Sequence, residues 1–147
     1  MKILLLNGPN LALLGVREPE IYGHDTLGSI VESVRSAAAA EGCEVIDYQS
    51  DVEGFLVERI GKALKEGIDG IIFNPAAYTH TSIAISDALA AVKIPTVEVH
   101  LSNVFHREGF RHQMVTSGQC IGIVAGFGAD SYVVAFDALV RYLKKRM

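Results

Sequence analysis

Arg17 and Tyr22 stand five residues apart in GVREPEIYG, and a guanidinium beside a phenol has chemical consequences. The positive charge stabilises the phenolate, and bringing a tyrosine from its ordinary pKa near ~10 toward 7 takes roughly 4 kcal/mol of differential interaction. One arginine in a closed, dry site supplies much of that. A second group lies further along the chain, where His80 falls in NPAAYTHTS and His100 follows Glu98 by two residues in EVHLSN. Residues i and i+2 of a strand share a face, so Glu98 reaches His100 and fixes its tautomer. Two imidazoles on one edge beside asparagines suit proton transfer or hydroxyl binding. Arg107 and Arg111 are four apart and share a face if that segment coils into a turn, a pairing suited to an anion.

Other chemistries find less support. His106 and His112 in HREGFRH are too far apart for a pair on one helical turn, and neither HExxH nor a paired-cysteine motif occurs, so no metal is expected. Lys62, Lys65, Lys93, Lys144 and Lys145 fall on helical patterns or their ends and Lys2 opens the first strand, which leaves no lysine on the ligand edge for a Schiff base. GFGAD, Gly126 to Asp130, reads as a glycine turn opening a helix. It supports the alternative of a non-catalytic binding module that cradles a phosphorylated ligand, though no GxxxxGK accompanies it.

These residues need elements to hold them. Five β-rich runs, Ile3 to Asn7, Cys43 to Tyr48, Gly70 to Asn74, Thr96 to His100 and Cys120 to Ala125, alternate with helical patterns, which predicts a parallel sheet with helices on both faces. The first helix carries Leu27, Ile30, Val31 and Val34, capped by Asp25 or Thr26 and stopped at Gly42; the second carries Val52, Phe55, Leu56 and Ile60 behind Ser50 or Asp51. The third runs from about Ser82 to Val92. The last runs from about Asp130 to Lys145 with Val133, Val134, Leu139, Tyr142 and Leu143 on its stripe. Open parallel sheets bind ligands beyond the carboxyl ends of their strands, and asparagine, histidine, serine and threonine gather there. The connection from about Gly8 to Asp25 exceeds the ~12 to 15 residues beyond which an unstructured loop usually has a task. REPEIYG within it fits neither a strand nor a helix period and reads as a lid.

Composition sets outer bounds. The 147 residues suit one domain, and half of them are apolar and a fifth charged, the balance of a globular protein. No apolar run reaches the ~20 residues of a membrane span, and MKILLLNGPN reads as a first strand, not a signal peptide. Two cysteines, Cys43 and Cys120, make no disulfide framework and point to the cytoplasm. A formal net charge of -4 argues against nucleic acid.

Taken together, NGPNL with GVREPEIYG, then NPAAYTHTS, then EVHLSN, resemble the type II 3-dehydroquinate dehydratases, collinearly across almost the whole chain. The resemblance implies a flavodoxin-like three-layer α/β sandwich with a five-stranded parallel sheet, one catalytic domain over residues 1–147 and a lid at about 15–25. It implies loss of water from 3-dehydroquinate to give 3-dehydroshikimate, by anti elimination through an enolate, without metal or cofactor, in a homododecamer built as a tetramer of trimers. On the matching positions Tyr22 looks like the base at C2, with Arg17 beside it and Arg107 assisting. Asn10 would hold the water or oxygen that stabilises the enolate, and His100, oriented by Glu98, would protonate the departing C1 hydroxyl. Asn74, His80 and Arg111 would bind ring hydroxyls, the backbone amides of Leu101 and Ser102 the carboxylate, and Asp87 would reach a neighbouring subunit's site. Three positions depart from the family pattern: Phe105 with His106 shifted by one, Ser86 for a common arginine, and Ala76 for a common glycine, at which a negative φ is expected.

Overall fold

In the computed structural model the described residues are 1–16, 18–22 and 24–147, the side chains of Pro19 and Tyr22 excepted. The strands are β1 (Lys2–Asn7), β2 (Glu44–Gln49), β3 (Gly70–Asn74), β4 (Thr96–His100) and β5 (Gly122–Ala125). All pairings are parallel and the order is β2-β1-β3-β4-β5, the flavodoxin-like arrangement, with its switch point between β1 and β3. The central strands are buried on both faces, which is why KILLLN and GIIFN read as unbroken apolar runs. Edge strand β2 is EVIDYQ with charged positions exposed.

Besides the short helix α1 (Pro19–Tyr22), four long helices cover the sheet: α2 (Leu27–Ala40), α3 (Glu53–Lys65), α4 (Ile83–Val92) and α5 (Asp130–Lys144). Ile30, Val31 and Val34 of α2 and Phe136, Leu139 and Val140 of α5 pack with Ile3, Leu5, Ile72, Val97 and Val99 on one face. Leu56 and Ile60 of α3 and Ile85 and Leu89 of α4 pack with Leu4, Leu6, Ile71 and Phe73 on the other. Each such fully buried Leu, Ile or Phe contributes about 1.5–3 kcal/mol. The alternation along each strand therefore decides which layer a side chain enters. At the strand ends it sends Asn7 and Asn74 toward α5 and Glu98 toward the opposite layer.

Several expectations need correction. REPEIYG is not wholly irregular, because Pro19–Tyr22 forms one helical turn. Proline at a first helical position loses no needed N–H and has its φ preset, and Glu20 suits the positive end of the turn. The second helix is capped by neither Ser50 nor Asp51; Val52 is its cap residue. Ser50 Oγ accepts the Val52 N–H at 3.0 Å, while the Asp51 carboxylate is drawn to the loop after β1. The buried stripe of α3 is Leu56, Arg59, Ile60 and Ala63, leaving Val52 and Phe55 half exposed. On α5, Tyr132, Ala135 and Phe136 are buried where Val134 was expected. β5 begins at Gly122, not Cys120.

Ala76 has φ 51, so the expected negative angle does not hold. Asn74 Oδ1 accepts the Ala76 N–H at 3.0 Å, which holds the Pro75–Ala76 peptide, and Ala76 takes its left-handed angle where the 3₁₀ turn Ala76–His80 begins. An L-residue there costs about 1 to 2 kcal/mol that glycine avoids. Ala76→Gly is accordingly expected to stabilise the fold by about 1 kcal/mol, a rise in Tm of about 3 °C measurable by thermal unfolding.

Candidate active site

The pocket at the carboxyl ends of β1, β3 and β4 is lined by residues of the three connections that follow those strands. Asn10 enters it from the loop after β1, in a left-handed conformation (φ 66) that asparagine tolerates better than most residues. Its backbone N–H donates to Asp51 Oδ1 at 2.9 Å, and Gln49 Nε2 donates to the same oxygen at 3.0 Å. Asp51 thus fixes this loop instead of capping a helix. Gly8, before it, permits the close approach of β1 and β3: a Cβ there would lie 2.6 Å from the Pro75 carbonyl oxygen.

Asn74 lines the pocket from β3 and is almost fully buried. Its Nδ2 donates to the Tyr132 hydroxyl at 2.8 Å, and that hydroxyl donates to Asn7 Oδ1 at 2.7 Å. This chain of amide, phenol and amide ties β1, β3 and α5 together beneath the pocket, and burial pushes the Tyr132 phenol up so that it remains a neutral donor. One N–H of Asn74 remains for a ligand. His80, on the 3₁₀ turn Ala76–His80, also lines the pocket. Its Nδ1 donates to the Gln113 carbonyl at 2.8 Å, which in the neutral ring leaves Nε2 as an acceptor for a hydroxyl.

His100, at the end of β4, lines the same pocket and is 6% exposed. Its Nε2 lies 2.7 Å from Glu98 Oε1, as the strand period requires. Glu98 is fully buried, and removing a carboxylate from water costs several kcal/mol unless partners compensate. Burial works against its charge, yet hydrogen bonds from His100, Thr79 and Thr116 prevail and hold the carboxyl below its ordinary range. Thr79 Oγ1 donates to Oε1 at 2.6 Å, and Thr116 Oγ1 lies 2.8 Å from Oε2. An ionised Glu98 accepts only, so Nε2 carries a proton and Nδ1 is the ring nitrogen left for the pocket.

Leu101, Ser102, Arg107 and Arg111 complete the wall. Glu108 lies between the two arginines, with Oε2 2.7 Å from Arg111 Nε and 3.8 Å from Arg107 Nε. Its own backbone N–H, then Arg111, hold this carboxyl below its usual range. A second, larger pocket lined by Glu20, Ile21 and Asp25 opens on the same Leu101, Ser102 and Arg107, so the segment around α1 borders the site. Phe105 is exposed, with its ring 5.4 Å from that of His112, and His106 faces the second pocket.

Eight of the expected site residues therefore meet in one cleft, and Glu98 lies directly behind them. Asp87 is exposed on α4 and does not line the pocket of its own chain. Arg17 and the Tyr22 side chain lie outside the described residues. The sequence reading missed Thr79, Thr116, Tyr132, Asp51 and Glu108. Among the described residues no group of His, Cys, Asp and Glu is arranged to hold a metal, and no helix is long and apolar enough to cross a membrane.

The GFGAD turn has a different task from cradling phosphate. Gly126 N–H donates to the His100 carbonyl at 3.2 Å and Gly128 N–H to the Leu101 carbonyl at 2.9 Å. Phe127 N–H donates to Ser131 Oγ at 3.0 Å. Three amides that an anion would need are committed, and two of them brace the backbone of the site wall.

The profile of the family "Dehydroquinase class II" matches residues 1–140. The chain is 56% identical over 146 residues to the 3-dehydroquinate dehydratase of Carboxydothermus hydrogenoformans, covering 99% of this chain and 94% of that one. It is 50% identical to the 3-dehydroquinate dehydratase of Clostridium perfringens strain 13, covering 99% and 100%. The crystal structure of type II dehydroquinase from Butyrivibrio crossotus superposes with a TM-score of 0.93 at 47% identity, over 95% of this chain and 97% of that one. Sequence, sheet order and near-complete coverage agree: this chain belongs to the class II dehydroquinases.

Proposed function

We propose that the protein converts 3-dehydroquinate to 3-dehydroshikimate and water, by anti elimination through an enolate. The observation that carries this reading is the His100–Glu98 pair, 2.7 Å apart, at the floor of a pocket that also holds Asn10, Asn74, His80, Arg107 and Arg111. An acid fixed by a buried carboxylate among polar hydroxyl-binding groups suits the dehydration of a polyhydroxylated ring acid. Two of the relatives described above are named 3-dehydroquinate dehydratase.

In this reading Tyr22, as phenolate beside Arg17, removes the C2 proton, and the C–H electrons pass into C2=C3 while charge settles on the C3 oxygen. Asn10 holds the water or oxygen that stabilises that charge in place. The enolate then collapses, C1=C2 forms, the C1–O bond breaks, and His100 gives its Nδ1 proton to the departing hydroxyl. Asn74, His80 and Arg111 bind ring hydroxyls, the Leu101 and Ser102 amides bind the carboxylate, and Arg107 assists Arg17. The segment at about 15–25 closes as a lid and raises the worth of each charge inside.

The reading places the enzyme in the shikimate pathway of a cytoplasm. It assembles as a tetramer of trimers in which Asp87 approaches a neighbour's site. The test is direct. Chelator-treated protein mixed with 3-dehydroquinate is expected to generate enone absorbance at the untreated rate, with or without borohydride. Absence of the enone, or its loss in EDTA, overturns the reading.

A further inference from the structure

Glu98 carries its donors unequally. His100 Nε2 and Thr79 Oγ1 both bind Oε1, at 2.7 and 2.6 Å, whereas Oε2 has Thr116 Oγ1 at 2.8 Å. The remaining neighbour of Oε2, Cys120 Sγ, is 3.8 Å away. Burial, then the Glu98 charge, drives that thiol far above its ordinary range, so it stays a protonated, weak donor. Thr116 Oγ1 is also 2.9 Å from Thr79 Oγ1, but its single proton goes to the charged acceptor, where the bond is stronger. A carboxylate turns about its last bond in a broad, two-fold well. With Oε1 alone held, the plane pivots; with Oε2 held as well, it is fixed.

Thr116 is built into its place. It is fully buried and outside the pocket lining. Val115 N–H donates to the Thr79 carbonyl at 2.7 Å, and the Thr116 carbonyl accepts the Gln119 N–H at 3.1 Å, so the loop before β5 is clamped onto the turn that carries Thr79 and His80. We propose that Thr116 is a positioning residue: by holding Glu98 Oε2 it fixes the carboxylate plane, and through Oε1 it aims His100 at the leaving group. The inference rests on His100 being the acid.

The test compares two rates in D2O, exchange of the C2 proton of 3-dehydroquinate and formation of the enone. A role in aiming the acid slows elimination and spares exchange, whereas loss of folded protein lowers both together. In Thr116→Val the ratio of exchange to elimination is expected to rise about 10- to 100-fold, the scale of a misplaced catalytic group, and Thr116→Ser is expected to restore it. An unchanged ratio in Thr116→Val, or a Ser variant as impaired as the Val variant, overturns the inference. If Thr116→Val does not fold, Thr116→Cys, similar in size but a weak donor, decides on the same ratio. His100→Ala is the reference. If its own ratio stays at the unsubstituted value, the acid assignment falls and the inference with it; if it rises while that of Thr116→Val does not, only the inference falls.

Discussion

Tyr22→Phe is expected to lower kcat by about three orders of magnitude, within the range that a positioned acid or base contributes, while equilibrium binding of the product changes little. Phenylalanine keeps the ring and removes only the oxygen proposed to take the C2 proton, so the proposed lid closure should survive and chemistry should not. Retention of more than about a tenth of the activity, a loss below 1.4 kcal/mol, would show that the phenol is not the base. Arg17→Ala is expected to be almost as damaging, for an electrostatic reason that leaves its own signature. A guanidinium favours the phenolate, and without it the proton leaves only at higher pH. The acidic limb of the kcat/KM profile should therefore move upward in Arg17→Ala, and activity should partly recover as pH rises. Stopped exchange of the C2 proton in D2O is the matching observation for Tyr22→Phe, since no enolate forms.

The pattern that places these groups was largely present in the chain. Alternating strand and helix signals predicted the layers, and the rule that ligands sit beyond the strand ends selected Asn74, His80, His100 and Ser102. The Glu98–His100 pair followed from the two-residue period of β4. What failed to show was the support beneath, and the reason is separation along the chain. Tyr132 meets Asn7 across 125 positions and Thr116 meets Glu98 across 18; neither partner is marked by any local period. Tyr132 is core although the expected stripe ran through Val133 and Val134, and its hydroxyl holds two asparagines. Asp51 misled for the opposite reason. It has the composition of a helix cap, but the Asn10 N–H and the Gln49 amide claim its carboxylate. Ala76 departs as well: its positive φ belongs to the turn after Pro75, and residue type alone would not suggest it.

His100→Ala is expected to lower kcat about 10³-fold with a small change in KM, and to do so at a different step from Tyr22→Phe. Without an acid the C1 oxygen must leave as hydroxide, so the enolate forms and returns instead of collapsing. The C2 proton should then exchange with D2O in His100→Ala although enone formation is nearly abolished, a combination that neither misfolding nor loss of substrate binding produces. Glu98→Gln separates the charge of the pair from its shape. The amide oxygen can take the place of Oε1 and receive His100 and Thr79, while its NH2 meets Thr116, whose hydroxyl can turn to donate to Thr79 Oγ1, 2.9 Å away. Packing should survive, but a neutral partner would no longer support the imidazolium proposed to give up the proton. Elimination should slow by about 10- to 100-fold, less than in His100→Ala, with exchange again spared. Equal loss of exchange and elimination in His100→Ala would place the histidine in the first step and remove it from the second.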